Sequence, residues 1–270
     1  MKLPRKPSVS GLFYPADPST LKGSVAKYIS QAKIESNRPV KLLIVPHAGY
    51  TYSGKIAGEG YAEVREGDYD HVVLLGPSHR HYFKGMAESG EHAWQTPLGD
   101  IGVKKLNLKE IEINSPYHKD EHCLEVQVPF IKYLFPNALI SPILLSGPHS
   151  QAVKMAESLF PMDTQDTLWV VSSDFNHTGP NFRHYPLDYG FSSGESMDHR
   201  AVDFITSGDI NGFHSYLDET NATICGALPI LVAMHLIKKL KLPSFTFKKY
   251  DCSGRQTGDS SSVGYATLYC

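Results

Sequence analysis

Cysteine is scarce in this chain. Cys123, Cys225, Cys252 and Cys270 are the only ones among 270 residues, and they are widely scattered. That is too few for a disulfide scaffold, so a reducing, cytoplasmic setting is expected. A cysteine near other ligating groups then reads as a candidate thiolate rather than half of a bridge. Charge of one sign is also missing. Lys and Arg number 26 against 28 Asp and Glu, a formal net charge of −2, and the one basic cluster (Lys238, Lys239, Lys241) reads as a helix end, where cations suit the dipole. A nucleic-acid or anionic-membrane partner is not expected. No stretch approaches the ~18 consecutive apolar residues of a membrane span, and the opening MKLPRKPSVSGLFYPAD lacks the apolar core of a secretory signal. There is no G-x-S-x-G elbow, phosphate-binding G-x-x-x-x-G-K loop or H-E-x-x-H helix, so the commonest local signatures of serine hydrolases, nucleotide enzymes and zinc proteases do not apply. Internal repeats, low-complexity tracts and long linkers are absent too, and one domain over residues 1–270 is expected.

What is present is a recurring grammar. Residues 41–45 carry an apolar, β-branched run that stops at Pro46, and His47 follows at once; a proline cannot continue a central strand. HVVLLGPSHRH places His79 and His81 just past a second apolar run and a Gly-Pro break. LWVVSSDFNHTG places Asp174 and His177 just past a third. In open α/β sheets, ligands bind outside the carboxyl ends of the strands. Three strand exits that each deliver imidazole or carboxylate point to one shared site.

Between these exits, helical and strand patterns alternate, as in an α/β domain with a mostly parallel central sheet flanked by helices. Asp17-Pro18 reads as an N-cap followed by proline at the first helical position, opening a helix to about residue 33. HAWQTPLGDIGV reads as a β excursion around a Pro-Leu-Gly-Asp turn. KDEHCLEVQVPFIKYLF reads as a helix with acidic residues in its first turn, which would put His122 at the helix start on one face with Glu125. Residues 138–145 form a strand interrupted by Pro142, hence kinked or near an edge. The long apolar helix of ATICGALPILVAMHLIKKL follows Cys225-Gly226, and the tail reads as strand, Gly-rich loop, strand.

Imidazole suits Fe(II), Cu and Zn, and two histidines with one anionic donor leave open positions on a divalent metal. His47 and His79 are the first two candidate ligands. Cys252, at the exit of the predicted strand 245–250, is the candidate third, with Asp259 and Cys225 as competitors. His177, Asp174 and His122 are the candidate catalytic residues: His177 as a third ligand or an acid/base, Asp174 as a ligand or the carboxylate that fixes an imidazole ring, and His122 as a site residue or a helix cap.

These motifs together resemble the Memo family, named for the mediator of ErbB2-driven cell motility, whose prokaryotic members include the AmmeMemoRadiSam system protein B group. The resemblance runs, in order, through GLFYPADP, PHAGYTYSG, LGPSHR, TPLGD, DEHCLEVQVPF, VVSSDFNHTG, TICGALPI and TGDSSSVGYA. It implies a fold like that of class III extradiol dioxygenases. It also implies a metal site using His47 and His79, and His177 where those dioxygenases keep an acid/base histidine. A cysteine of the C-terminal loop completes the site in animal members; Cys252 lies a few residues early of that place. Those members are linked to phosphopeptide binding and to copper- or iron-dependent redox activity. Two functions therefore stand: a non-haem iron- or copper-dependent oxidoreductase acting on an unknown small molecule, or a non-enzymatic metal- or peptide-binding protein using the same cleft.

Overall fold

The computed structural model describes residues 3–270. In chain order the elements are α1 (Pro18–Gln31), β1 (Leu42–Val45), α2 (Tyr50–Glu63), β2 (His71–Pro77), β3 (Gly85–Glu88), β4 (Ala93–Trp94), β5 (Ile101–Gly102), β6 (Ile111–Ile113), α3 (Ser115–Lys119) and α4 (Val128–Leu134). Then follow β7 (Leu139–Ser146), α5 (Ala152–Leu159), β8 (Thr167–Ser172), β9 (His177–Thr178), α6 (Gly194–Ser207), α7 (Ile210–Thr220), α8 (Ala227–Leu240), β10 (Thr246–Cys252), α9 (Ser253–Thr257) and β11 (Ser262–Tyr269).

The main sheet runs β10-β11-β1-β8-β2-β7-β3-β6, with the short β9 paired to β11. Its centre, β1-β8-β2-β7, is wholly parallel. β11 is antiparallel to both β1 and β10, and β3 is antiparallel to β7. Burial on both faces explains why the central strands are apolar throughout rather than alternating. Leu42, Ile44, Val73, Leu75, Trp169 and Val171 point into one core, with α5 to α8. Leu43, Val45, Val72, Leu74, Leu168 and Val170 point into the other, with α1, α2 and α4. Truncating any of the fully buried leucines or isoleucines among these to alanine should cost about 2–5 kcal/mol.

Local chemistry sets the element ends. Asp17 caps α1, its carboxylate accepting from the Thr20 N–H at 2.8 Å, and Pro18 opens the helix. β4 and β5 form the expected excursion as an antiparallel ribbon. Pro142 does not mark an outer strand: β7 lies inside the sheet between β2 and β3. The paired β3 residues reach only Ile143; past them the Pro142 carbonyl still accepts from the Ser89 N–H at 3.4 Å, so it is the missing N–H alone that falls beyond the ladder.

The stretch after α3 departs most from expectation. Residues 120–124 form a turn, a short 3-10 helix covers Glu125–Gln127, and α4 begins only at Val128. His122 therefore lies in the turn, not on a helical face shared with Glu125. No helix among the described residues is long and apolar enough to cross a membrane.

Candidate metal centre

β1, β8 and β2 are adjacent and parallel, so their carboxyl ends open at one edge of the sheet. His47 leaves β1, His79 leaves β2, and Asp174 and His177 leave β8. The turn before α4 brings His122 to the same place. Ring centroids lie 5.2 Å apart for His47 and His79, 5.4 Å for His47 and His122, and 4.8 Å for His79 and His122. Each ring offers a nitrogen, and these lie within 4.8 Å of one another. His47 is buried and His122 partly so, while His79 faces solvent. The cluster thus has a closed floor and an open mouth.

The hydrogen bonds fix the proton positions. Ser172 Oγ donates its single proton to the Cys123 carbonyl at 2.6 Å and accepts from Gln127 Nε2 at 2.8 Å. Its remaining contact, His47 Nδ1 at 3.0 Å, must therefore be a donor, which leaves the lone pair on His47 Nε2. His79 Nδ1 lies 2.8 Å from Glu121 Oε1. A carboxylate only accepts, so His79 Nδ1 carries a proton and Nε2 is the ring nitrogen turned away from Glu121. A ring nitrogen fixed by a carboxylate behind it is the usual arrangement for metal-ligating histidine.

Glu121 is a nearly sealed carboxylate. Besides the His79 ring it accepts from the backbone N–H groups of His79, His122 and Cys123 at 2.6, 3.0 and 3.2 Å, and His122 Nδ1 lies 3.3 Å from Oε1. Burial pushes its pKa up, but the hydrogen bonds from His122 and His79 outweigh burial and hold the group well below the usual carboxylate range. Burial, then the neighbouring His79 and His122, push His47 well below its ordinary value, so its ring is neutral. Asp174 is buried too, and burial raises its pKa against the backbone bonds it accepts from His47 at 2.7 Å and Ala48 at 3.2 Å.

Asp174 therefore braces the loop that carries His47 and does not hold the His177 ring. That ring is fixed from elsewhere: Nδ1 donates to the Thr223 carbonyl at 3.1 Å. Thr223 Oγ1 also accepts from the His177 N–H and donates to the His177 carbonyl, at 2.7 and 2.9 Å. Nε2 is the His177 ring nitrogen that Thr223 does not engage. The Phe182 ring packs nearly perpendicular to the imidazole, with centroids 5.2 Å apart.

The sulfur nearest the cluster is Cys225. Its Sγ lies 3.2 Å from His47 Nε2 and accepts from the Asp174 N–H at 3.2 Å. Burial and the Asp174 charge raise its pKa, so thiolate formation here needs a cation to compensate. Cys252 ends β10 and lines a separate cavity of about 400 Å³ with Thr178, Tyr185 and Arg255; neither it nor Cys225 belongs to the groups of mutually close ligating atoms found among the described residues, and Cys225 touches only the His47 ring of the cluster. Asp259 lines that same cavity. His81 packs against Tyr117, the rings tilted and their centroids 5.1 Å apart, outside the cluster. A second group, His79 with Glu121 and Cys123, is occupied internally, since Cys123 Sγ donates to the Pro77 carbonyl at 3.1 Å.

Glu121, Ser172, Gln127 and Thr223 are the site residues that motif reading passed over. Only Glu121 left a signal, as an acid directly before His122. The others act through their place in the fold.

Comparison with known proteins agrees over nearly the whole length. The family described as Memo-like protein matches residues 5–269. A MEMO1 family protein of Methanothermobacter thermautotrophicus is 32% identical over 285 residues, covering 98% of this chain and 99% of the relative. Another, from Methanosarcina mazei, is 33% identical over 276 residues, covering 98% of each. Among solved structures, the uncharacterized protein JW3007 of Escherichia coli K12 superimposes with a TM-score of 0.49 at 13% identity, over 85% of this chain and 99% of that one.

Proposed function

The chain belongs to the Memo-like family, and from that premise we propose that the three-histidine cluster holds one divalent metal ion and serves a redox reaction on a small molecule. The observation that carries this reading is the proton bookkeeping. Ser172 and Glu121 occupy the Nδ1 sides of His47 and His79, leaving Nε2 of each ring as the nitrogen free to ligate, and the two rings form one group with the His122 imidazole. This donor set fits Fe, Cu or Zn. His47 and His79 are the neutral ligands, and Cys225, whose sulfur already touches His47 Nε2, is the anionic donor in the role the sequence reading gave first to Cys252. His122 stands at the open side as a further ligand or a group facing substrate.

A bound metal of this kind would supply Lewis acidity and, for iron or copper, electron transfer at its open position. The chain's own residues supply the rest. Asp174 and Gln127 hold the His47 loop through its backbone. Glu121 keeps the His79 proton away from the cluster. His177, with Nδ1 committed to Thr223, has Nε2 free to take a proton from a bound hydroxyl; such acid–base help is worth ~10²–10⁴-fold in rate.

The test is metal content of protein purified without added metal. Wild type should carry close to one ion per chain, Cys225→Ser and the His47→Ala, His79→Ala double variant should lose most of it, and Cys252→Ser should keep it. Equal metal in the double variant would refute the site. His177→Ala should retain metal and lose turnover, read as O₂ consumption by Fe(II)-loaded protein over a panel of catechols. Metal-loaded protein that is inert across the panel but binds peptides through His177 would favour the non-enzymatic alternative.

A further inference from the structure

Residues 3–17, before α1, form no helix or named strand, yet parts of this segment are among the most tightly held in the molecule. Arg5 is 5% exposed. Its guanidinium lies 4.2 Å over the Trp94 ring and donates to the His118 carbonyl at 2.8 Å, the Glu121 carbonyl at 2.8 Å and the Glu125 carboxylate at 2.7 Å. Glu125, 1% exposed, gathers the segment onto itself: it also accepts from the N–H groups of Ser8 and Val9 and the hydroxyls of Ser8 and Tyr14, all at 2.8–3.0 Å. None of these bonds serves a helix or the sheet.

Their geometry bears on the histidines from both sides. Arg5 grips the backbone of Glu121, whose carboxylate sets the His79 ring. Glu125 fixes the loop that carries Phe13, and the Phe13 ring packs on His122 with centroids 4.9 Å apart. The Phe13 carbonyl in turn accepts the Tyr50 N–H at 2.7 Å, at the start of α2 and three residues past His47. One segment thus joins the β1 exit to the turn that carries Glu121 and His122.

We infer that residues 5–14 form a brace for the metal centre, with Arg5 and Glu125 as positioning residues that act through Glu121 and Phe13. This rests on the metal reading above. A purely structural tether would lower stability when cut and leave the affinity of the folded protein unchanged. A brace would change the ligand geometry as well.

The experiment compares Arg5→Lys, Glu125→Gln and the milder Tyr14→Phe with Lys248→Met, which removes a buried pair elsewhere, Lys248 to Glu63 at 2.8 Å. Co(II) is the probe, followed by its visible spectrum and its affinity, with thermal stability measured alongside. Losing the support behind a ligating histidine typically weakens metal affinity ~10–100-fold. That loss, with an altered Co(II) spectrum, is expected for Arg5→Lys and Glu125→Gln, a smaller loss for Tyr14→Phe, and none for Lys248→Met at comparable destabilisation. Affinity within two-fold of wild type in the brace variants, or an equal loss in Lys248→Met, would overturn the inference. If wild type takes up no Co(II), the metal reading fails, and the brace is decided on metal-free protein: the His79 Nδ1–H resonance should stay protected from exchange in wild type and Lys248→Met and be lost in Arg5→Lys. An unchanged resonance in Arg5→Lys would end the proposal.

Discussion

Glu121→Gln is the sharpest single perturbation of this site. The side chain keeps its shape and loses its charge and one acceptor. Oε1 takes the His79 ring N–H and the backbone N–H groups of His122 and Cys123; Oε2 takes the backbone N–H of His79. The best placement of the amide keeps its oxygen at the Oε1 position. Its NH₂ then faces the His79 N–H, donor against donor, where 2.6 Å now separates donor from acceptor. Leaving one buried donor unsatisfied costs about 1–3 kcal/mol of stability. The neutral oxygen is also a weaker partner for His79 Nδ1–H, so Nε2 becomes less basic and metal affinity should fall ~10–100-fold, equivalent to about 1.4–2.7 kcal/mol. The two effects separate in the assay: urea unfolding of metal-free protein gives the first, Co(II) titration of folded protein the second. The sign with pH is fixed as well. The folded pKa of Glu121 is depressed, so its contribution is present above the unfolded carboxylate value of ~4.3 and is lost as pH falls below it. The stability gap between wild type and variant should therefore close in acid. Affinity within two-fold of wild type would refute the assignment of Glu121 as the group that fixes the His79 ring.

Two further predictions concern buried groups. His71 is held neutral, its pKa lowered to about 4 chiefly by burial, with Nε2 donating to Ser141 Oγ at 2.8 Å. A depressed folded pKa means that wild type loses stability as pH falls from ~6.5 toward that value. His71→Gln keeps a donor without the titration, so the wild-type advantage should shrink by roughly 3 kcal/mol between pH 6.5 and 4; parallel urea-unfolding profiles for the two proteins would contradict this. Gly226 abuts Ser173 so closely that a Cβ there would strike the serine side chain. Gly226→Ala should therefore cost about 1–3 kcal/mol by overpacking and shift Cys225, read as a lower melting temperature together with reduced Co(II) uptake; an unchanged melting temperature would show that the α8 start is not clamped against the β8 exit.

Much of the scaffold was legible because central parallel strands carry a one-dimensional signal. LLIV, VVLL and LWVV are apolar on both faces, and each ends where chemistry begins. The N-cap at Asp17 and the β excursion around residues 96–100 were legible for similar local reasons. The stretch from residue 120 to 127 was misread because its apolar spacing is helical while its residues serve other partners. Glu121 turns to His79, Glu125 to Arg5 and Ser8, and Gln127 to Ser172 and Pro46. A helix over these residues would point Glu121 and Glu125 along one face. Their actual partners lie on different sides, so the chain breaks into a turn and a 3-10 segment. Periodicity reports which side chains want burial; it is silent about side chains held by bonds to partners 42 to 120 residues away.

The identity of the sulfur at the cluster follows from strand order, which sequence spacing does not contain. Cys252 does leave the right end of a strand, since β10 is antiparallel to β11 and β11 antiparallel to β1. But β11 lies between β10 and β1, so that exit is displaced by two strand spacings, ~10 Å, from the β1 exit and further still from β8 and β2. Cys225 has no strand of its own. It reaches the centre because α8 packs against the sheet with its start at the β8 exit, where the Gly226 N–H donates to Ser173 Oγ at 3.0 Å. The missing side chain at Gly226 is what permits that approach, and Asp174 then serves two neighbours at once, its carboxylate gripping the His47 loop and its N–H donating to Cys225. The Cys-Gly dipeptide before an apolar helix looks like a buried cap in the sequence; in the fold it puts a thiol against the lone pair of His47.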